Sequence, residues 1–483
     1  MLNINAMDNL IAVKHLFSRA GFGIPYDQLI KLRKKKVSGT VDFLFEEARK
    51  VEEITLFSYQ QIKKQYEDSA LLNGKRELTE EEKELKKSFV KVRNHQSTFL
   101  NTFYMQKMMN ASSSLRDKMT LLWQGHFACR SDNPYFAQQL YNLMHRNALG
   151  DFRTLLIEVS KSPAMLQYLN NQQNRKGKPN ENFARELMEL FTLGQGKYTE
   201  KDIKESARAF TGWTYNKDWA FEFNPKFHDE GEKTFFGKTG NFDGEAIIDI
   251  LLEKKETALF IASKVFLFFV SDTPHDGHIK ELAEVLYKNK YNISAMMKAL
   301  FKSDWFYDPA YVGSKIKSPV ELLVGLSRGF FVKYEDPLVL IQFQSSMGQY
   351  LFNPPNVAGW PGGKNWIDSS SLMYRLKLPA TILNNGVIDF SGKADPEDEA
   401  AIAMSKSGTD MANQMVKPKS KVKTVVNWAK FSGTFPQNFK PMDMAAFLLQ
   451  PQLTPKITQM ISDNKGLRST AIEIASMPEY QLC

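Results

Sequence analysis

Apolar residues recur at three- and four-residue spacing along most of this 483-residue chain, and stretches that alternate apolar and polar residues are scarce. The first pattern places apolar side chains on one side of an α-helix, whereas a half-buried strand needs a period of two. We therefore predict an all-α protein, an irregular helical bundle with long functional loops and little or no β-sheet. The clearest helical runs are Leu115–Trp123, Phe136–Leu149, Phe183–Leu193 and Ala295–Phe301.

Capping signals support this interpretation. Thr199 precedes Asp202 by three residues, which is the spacing of a capping box with aspartate in the usual glutamate position. Gly150, Gly194 and Gly212 each follow a periodic run, where helices commonly end.

Composition along the chain predicts three parts. We expect residues 1–390 to form the main helical domain, with a charged helical arm over residues 43–96. Residues 391–424 are polar and rich in small residues, which is typical of a linker or mobile loop. Residues 425–483 regain apolar periodicity, and we expect a C-terminal helical segment that packs on the main domain.

The net charge of the chain excludes few classes of function. Lys and Arg number 63 and Asp and Glu 54, a formal net charge of +9. The basic runs at 33–36 and 417–423 lack interleaved aromatic residues, so we read them as solvated surfaces and predict no nucleic-acid partner. The two cysteines, Cys129 and Cys483, do not form the disulfide framework of a small secreted protein.

The N-terminal residues and the apolar stretches bear on location. Met1–Ile11 has neither a basic segment followed by an apolar run nor a pair of arginines, so we expect a cytoplasmic protein. The most apolar stretch, Ala258–Val270, contains Lys264 and is too short to span a bilayer. It predicts a buried helix, and we expect no transmembrane segment.

The helix predicted over Phe183–Leu193 carries a polar stripe. At about 100° per residue, Asn182, Arg185, Glu186 and Glu189 share one side of that helix. The stripe fits a plain amphipathic helix in which Arg185 pairs with Glu189. It also fits a cleft in which two carboxylates have their pKa values pushed apart for acid–base chemistry, or together hold a cation.

Two histidines extend this candidate site. His126 ends an apolar helix, and His228 precedes Asp229 in a loop. Together with Glu186 and Glu189, these three residues are our catalytic candidates, and the same five could bind a divalent metal, the candidate cofactor. The chain contains no His-Glu-x-x-His and no Cys-x-x-Cys, so the identity of a metal does not follow.

Candidate substrate-binding residues come from the same region and from one further loop. Arg185 and Arg208 could hold an anionic group, beside Asn182. Trp360 and Trp366 lie in a loop rich in proline and glycine, where indole faces could stack on sugar rings or cations. The same tryptophans would equally suit a structural loop that plugs the core.

Two common site types are not supported. Gly21-Phe22-Gly23 has no preceding strand and no Gly-Lys-Ser/Thr, so it is not a phosphate-binding loop. No Gly-x-Ser-x-Gly elbow occurs either, which argues against a serine hydrolase.

Several of these segments, taken in order, resemble a bacterial family known only as domain of unknown function 1800. Lys178–Leu187 and Pro354–Gly363 are long and unusual strings within the resemblance, and Ser476–Gln481 is similar to the family's usual ending. The matching segments are His15–Gly23, Leu115–Phe127, Asn174–Trp213, Phe227–Lys233, Lys317–Glu321 and Gly348–Ile367.

The resemblance implies a largely helical bacterial protein without a known chemistry. Genes of this family commonly stand beside those of family 1501, whose members are similar to sulfatases and often carry a twin-arginine export signal. Many members of the first family have an export peptide of their own, which this chain does not show. It would therefore stay inside the cell or leave it folded, bound to an exported partner.

Three hypotheses of function remain. The first is a cell-envelope enzyme that acts on a glycan or anionic polymer by hydrolysis or elimination, with Glu186 or Glu189 and His126 or His228 as acid and base. The second is a non-enzymatic partner or chaperone of the sulfatase-like neighbour. The third is a metal-dependent hydrolase or oxidoreductase.

Overall fold

The structure, a computed structural model, describes residues 9–73, 77–111, 114–389, 419–461 and 466–483. Over these ranges the protein is predominantly α-helical, and its strands form small two-stranded sheets, so the predicted all-α class is confirmed. The first eleven helices are α1 (Asn9–Ala20), α2 (Tyr26–Leu32), α3 (Val37–Glu47), α4 (Tyr59–Asn73), α5 (Glu80–Asn110), α6 (Ser114–His126), α7 (Pro134–Asn147), α8 (Phe152–Lys161), α9 (Pro163–Tyr168), α10 (Asn182–Glu186) and α11 (Glu200–Ala209).

The remaining helices follow a region of short strands. They are α12 (Gly244–Leu252), α13 (Lys255–Phe269), α14 (Asp276–Lys288), α15 (Ile293–Lys302), α16 (Pro319–Gly329), α17 (Val339–Met347), α18 (Ser369–Asn384), α19 (Trp428–Gly433), α20 (Pro441–Leu448), α21 (Pro455–Ile461) and α22 (Leu467–Ala475). The antiparallel strand pairs are β1 (Trp213–Tyr215) with β2 (Phe221–Phe223), β3 (Lys233–Phe235) with β4 (Lys238–Gly240), β5 (Val332–Tyr334) with β8 (Thr424–Val426), and β6 (Val387–Asp389) with β7 (Lys419–Lys421).

The local signals agree with these boundaries. Helices α6, α7 and α15 occupy three of the four predicted runs, and α13 is the helix predicted for the most apolar stretch. The capping box is confirmed at the start of α11, because Thr199 Oγ1 accepts from Asp202 N at 3.2 Å and Asp202 Oδ2 accepts from Thr199 N at 2.9 Å. Gly194 and Gly212 have φ angles of 88° and 81°, whereas Gly150 is not left-handed.

Buried apolar side chains form two large clusters, and α6 lies between them. Trp123 and Phe152 belong to the first cluster, which joins α1 and the helices from α6 to α15. Leu323 belongs to the second, which joins the last part of α5, helices α16 to α18 and the C-terminal helices. Leu122 packs in the first cluster and its neighbour Leu121 in the second, so opposite sides of α6 are both buried.

The charged arm predicted over residues 43–96 corresponds to the end of α3, to α4 and to the first half of α5. Leu85 and Val92 of α5 are exposed, whereas Leu100 and Tyr104 of the same helix are buried in the second cluster. Helix α5 therefore leaves the body of the protein at its N-terminal half.

Most of the predicted linker, residues 391–418, lies outside the described residues. The C-terminal segment contacts the main body at several points. Lys14 of α1 donates hydrogen bonds of 2.6 Å to the carbonyls of Ala446 and Leu449, and Ile316 forms an antiparallel bridge with Leu482. Across the ranges given above, every helix is too short or too polar to cross a membrane.

Candidate functional site

The fourth predicted helical run does not form a regular α-helix. After α10 the chain continues as a π-helix over Leu187–Thr192. Its wider turn is visible in the bond of 2.9 Å from Leu193 N to the carbonyl of Met188, five residues earlier. A π-helix is rare because its backbone geometry is less favourable than that of an α-helix, and it occurs frequently at functional sites. Of the polar stripe predicted from sequence, Glu189 lies on this π-helix, whereas Asn182, Arg185 and Glu186 lie on α10.

The two glutamates of the stripe have different environments. Glu189 Oε2 accepts a hydrogen bond of 2.6 Å from the hydroxyl of Tyr198. Glu186 is half-buried, and its carboxylate has no hydrogen-bond or ion-pair partner in the described part of the chain. Burial, followed by the charge of Glu189, raises the pKa of Glu186, while Arg185 opposes this shift. Burial and the bond to Glu189 also raise the pKa of Tyr198.

The arginine and the asparagine of the stripe are engaged elsewhere. Arg185 forms a bidentate pair with Glu200, at 3.0 and 2.9 Å, and approaches Glu181 at 3.6 Å, so it does not pair with Glu189 as an isolated helix would suggest. Asn182 donates to the carbonyl of Leu169 at 3.2 Å.

His126 lies in the core beside the π-helix. Its Nε2 is 3.1 Å from the carbonyl of Phe191, and because a carbonyl only accepts, Nε2 carries the proton. Nδ1 is then a buried acceptor with no partner among the described residues. Burial, followed by the charge of Lys264, lowers the pKa of His126 to about 3, so the ring is neutral at physiological pH.

His228 and Asp229 hold a loop near the end of α11. His228 is buried, and its Nδ1 lies 2.9 Å from the carbonyl of Thr211. Asp229 forms a bidentate pair with Arg208, at 2.7 and 3.1 Å, which lowers the pKa of the Asp229 carboxyl. Arg208 also pairs with Glu205, at 2.9 Å from Nη1 to Oε2. These contacts connect the loop to α11 and leave Arg208 well neutralised.

The tryptophan loop docks against the end of α6. Trp366 is buried, with 6% of its surface exposed, and half-buried Trp360 packs on the second apolar cluster. Gly359 has φ +84° and approaches the carbonyl of Gly125 so closely that no side chain could be accommodated there. In this arrangement the tryptophans fill the interior.

The structure therefore brings Glu186, Glu189 and Tyr198 together, and His126 contacts the π-helix through the carbonyl of Phe191. Among the residues that the structure describes, no group of three or more His, Cys, Asp or Glu side chains has an arrangement that could hold a metal ion. The five residues considered as metal ligands accordingly do not form a metal site in this part of the chain.

Three of the segments that carry the resemblance, His15–Gly23, Lys317–Glu321 and Ser476–Gln481, contain none of the predicted site residues. Lys14 immediately precedes the segment His15–Gly23. Lys317 and Glu321 are the first and last residues of Lys317–Glu321, and Tyr480 lies in Ser476–Gln481. All four line a single cavity, far apart in sequence but adjacent in space. No local pattern joins these four residues, because they meet only through the packing of segments that are distant in sequence.

Comparisons with known proteins identify a family but no relative of known function. No curated protein and no solved structure matches the chain. A family model described as a protein of unknown function, DUF1800, matches residues 15–482. The match covers nearly the whole chain, and the protein belongs to the DUF1800 family.

Proposed function

We propose that this protein is an enzyme of acid–base chemistry in which Glu186 transfers the proton. One observation carries the proposal: Glu186 is a half-buried carboxyl group without a partner in the described chain, next to a second carboxylate held by Tyr198. Two carboxyl groups in unequal environments can take the two opposite roles of acid and base at one pH. The π-helix that presents Glu189 is a further feature typical of functional sites.

The substrate class that we propose is a glycan or another anionic polymer of the cell envelope. Half-buried Tyr168 lies within electrostatic reach of both Glu186 and Arg130, since these two groups act on its pKa in opposite directions. Arg130 is exposed and has no ion-pair partner among the described residues. An exposed, unpaired guanidinium suits a substrate that carries carboxylate or sulfate groups.

Either hydrolysis or elimination fits this pair. In hydrolysis, protonated Glu186 would protonate the bridging oxygen, while water adds to the carbon and gives its proton to Glu189. In elimination, Glu189 would take a proton from the carbon beside a substrate carboxylate. The bridging oxygen would then leave with the proton of Glu186, and a carbon–carbon double bond would form. We assign no proton transfer to His126 or His228, because both are buried and bonded to backbone carbonyls.

A glycan screen tests the proposal. The protein would be incubated with neutral and acidic polysaccharides, and products would be detected as reducing ends for hydrolysis or as ultraviolet absorbance of an unsaturated product for elimination. We expect turnover by the wild type and by Glu284→Gln, an exposed control on α14, and its loss in Glu186→Gln. Equal turnover by Glu186→Gln would refute the assignment.

One observation favours the alternative of a non-enzymatic partner. On α5, Leu85, Val92 and Phe99 are exposed at seven-residue spacing and form an apolar stripe that a second helix could cover. The occupant would be the sulfatase-like protein that the resemblance implies as a neighbour. This function would be favoured over the first if the two proteins copurify, if Val92→Glu abolishes their copurification, and if the glycan screen shows no turnover.

A further inference from the structure

We propose that the cavity between α1, α16 and the C-terminal segment binds a small anionic ligand that carries phosphate groups or several carboxylates. The cavity has a volume of about 910 Å³, which is the size of a small-molecule site. It is built by segments that lie hundreds of residues apart and that sequence analysis singled out without assigning them a function. The inference does not depend on the acid–base role of Glu186.

Positive charge dominates the lining of this cavity. Six of the described side chains that line it are cationic, and they outnumber the two negative charges of the lining, at Glu321 and Cys483. The cationic residues are Lys14, Lys118, Lys317, Arg328, Lys333 and Lys430. A cavity with this imbalance attracts anions and repels cations.

The lysines are desolvated but incompletely neutralised. Lys14 donates to two backbone carbonyls at 2.6 Å, and Lys317 donates to the carbonyl of Tyr480 at 2.6 Å. Lys118 forms an ion pair with Glu321, to which Lys315 also comes within 3.6 Å. The backbone carbonyls that accept from Lys14 and Lys317 carry no net charge, so the negative charges of Cys483 and Glu321 only partly offset the burial of Lys317.

A second layer of cations lies behind the lining. Arg19 and Arg375 are fully buried, and burial lowers the pKa of each, while the negative charges of Cys483 and Glu321 oppose this shift at both residues. Their guanidinium groups bond mainly to backbone carbonyls, among them Val270 at 2.9 Å and Lys317 at 2.5 Å. Nε of Arg19 and Nη1 of Arg375 are buried donors with no partner in the described structure.

One wall of the cavity is formed by backbone at Gly21, which faces Ser114 Oγ so closely that a side chain at Gly21 would collide with it. A bound phosphate or polycarboxylate would neutralise the lysines and accept several charge-assisted hydrogen bonds at once.

Calorimetric titration with three probes tests the proposal: inorganic phosphate, pyrophosphate and citrate, each against chloride at matched ionic strength. We expect at least one probe to bind to the wild-type protein. Binding of the phosphates alone would identify a phosphate-bearing ligand, and binding of citrate alone a carboxylate-bearing one. If the wild-type protein binds none of the three, the proposal is wrong.

Two variants locate the binding. Lys317→Met removes a charge inside the cavity and is expected to weaken binding by about tenfold or more. Because that variant could fail to fold, Lys333→Gln/Lys430→Gln removes two exposed charges at the rim and is expected to weaken binding by roughly threefold to tenfold. The charge-matched control is Lys280→Gln/Lys288→Gln, on exposed positions of α14. Equal weakening in this control would show non-specific attraction and overturn the proposal.

Discussion

The hydroxyl of Tyr198 donates a hydrogen bond of 2.6 Å to Oε2 of Glu189 on the π-helix, whereas Glu186, three residues earlier at the end of α10, has no hydrogen-bond or ion-pair partner in the described chain. The charge of Glu189 contributes, after burial, to the raised pKa of Glu186. The unequal pair arises from one tyrosine in the loop before α11.

Replacement of Glu189 should change the pKa of Glu186. Glu189→Gln removes the second largest cause of the raised pKa of Glu186, after burial, and we therefore expect the pKa of Glu186 to fall. Carbon-13 NMR titration of labelled glutamate carboxyl groups would measure the shift without a substrate. Glu284→Gln, the exposed control on α14, should leave the Glu186 titration unchanged. An unchanged titration in Glu189→Gln would contradict the coupling.

Acid should destabilise the protein through His126. The pKa of His126 is lowered to about 3 in the folded state. Below about pH 6.5, His126 therefore binds a proton in the unfolded chain but stays neutral in the folded protein. Stability is therefore lost as the pH falls from 6.5 towards 3, by about 3 kcal/mol at pH 4 from this group. His126→Gln keeps an N–H donor for the Phe191 carbonyl but does not titrate. Urea unfolding at pH 7 and pH 4 should show a smaller loss in the variant, and an equal loss would argue against a neutral buried ring.

Alkaline pH should have the opposite effect through Lys14. Burial, followed by the charge of Lys317, lowers the pKa of Lys14 to about 8. Between pH 8 and about 10 the unfolded chain keeps a proton that the folded protein has released, so stability rises with pH, on the order of 1 kcal/mol from this group. Lys14→Met should lose this rise when urea unfolding is compared at pH 8 and 9.5. A bound anion would raise the pKa of Lys14 and reduce this rise of stability with pH.

The docking of the tryptophan loop on α6 depends on Gly359. Gly359→Ala introduces a Cβ against the Gly125 carbonyl at φ +84°, and we expect it to lower the free energy of unfolding by about 2 kcal/mol or more. Gly362→Ala is the matched control in the same loop, because Gly362 has φ −98° and no atom within 4 Å of an added Cβ. Thermal unfolding of the two variants side by side would show the difference, and similar stabilities would mean that the loop moves to accommodate the methyl group.

Local features of the fold followed from the sequence, because they depend on residues a few positions apart. The periodic runs predicted α6, α7 and α15, and the Thr199–Asp202 spacing predicted the capping box of α11. The shift to a π-helix after Glu186 was not predicted. Apolar spacing of three and four residues is shared by a regular helix and by one with a single wide turn, so periodicity does not distinguish the two.

The chemistry of the site was decided by contacts between distant segments. Arg185 pairs with Glu200 because the loop after the π-helix brings α11 beside α10, and His126 is neutral because the core desolvates it. Lys14, Lys317 and Tyr480 meet only after the C-terminal segment packs on α1 and α16. The sequence by itself determined the helical class and the candidate polar residues, since both follow from the spacing of residues that are close in sequence. The tertiary structure alone decided which of those residues are paired, buried or free, because desolvation and ion pairing depend on neighbours that no local pattern specifies.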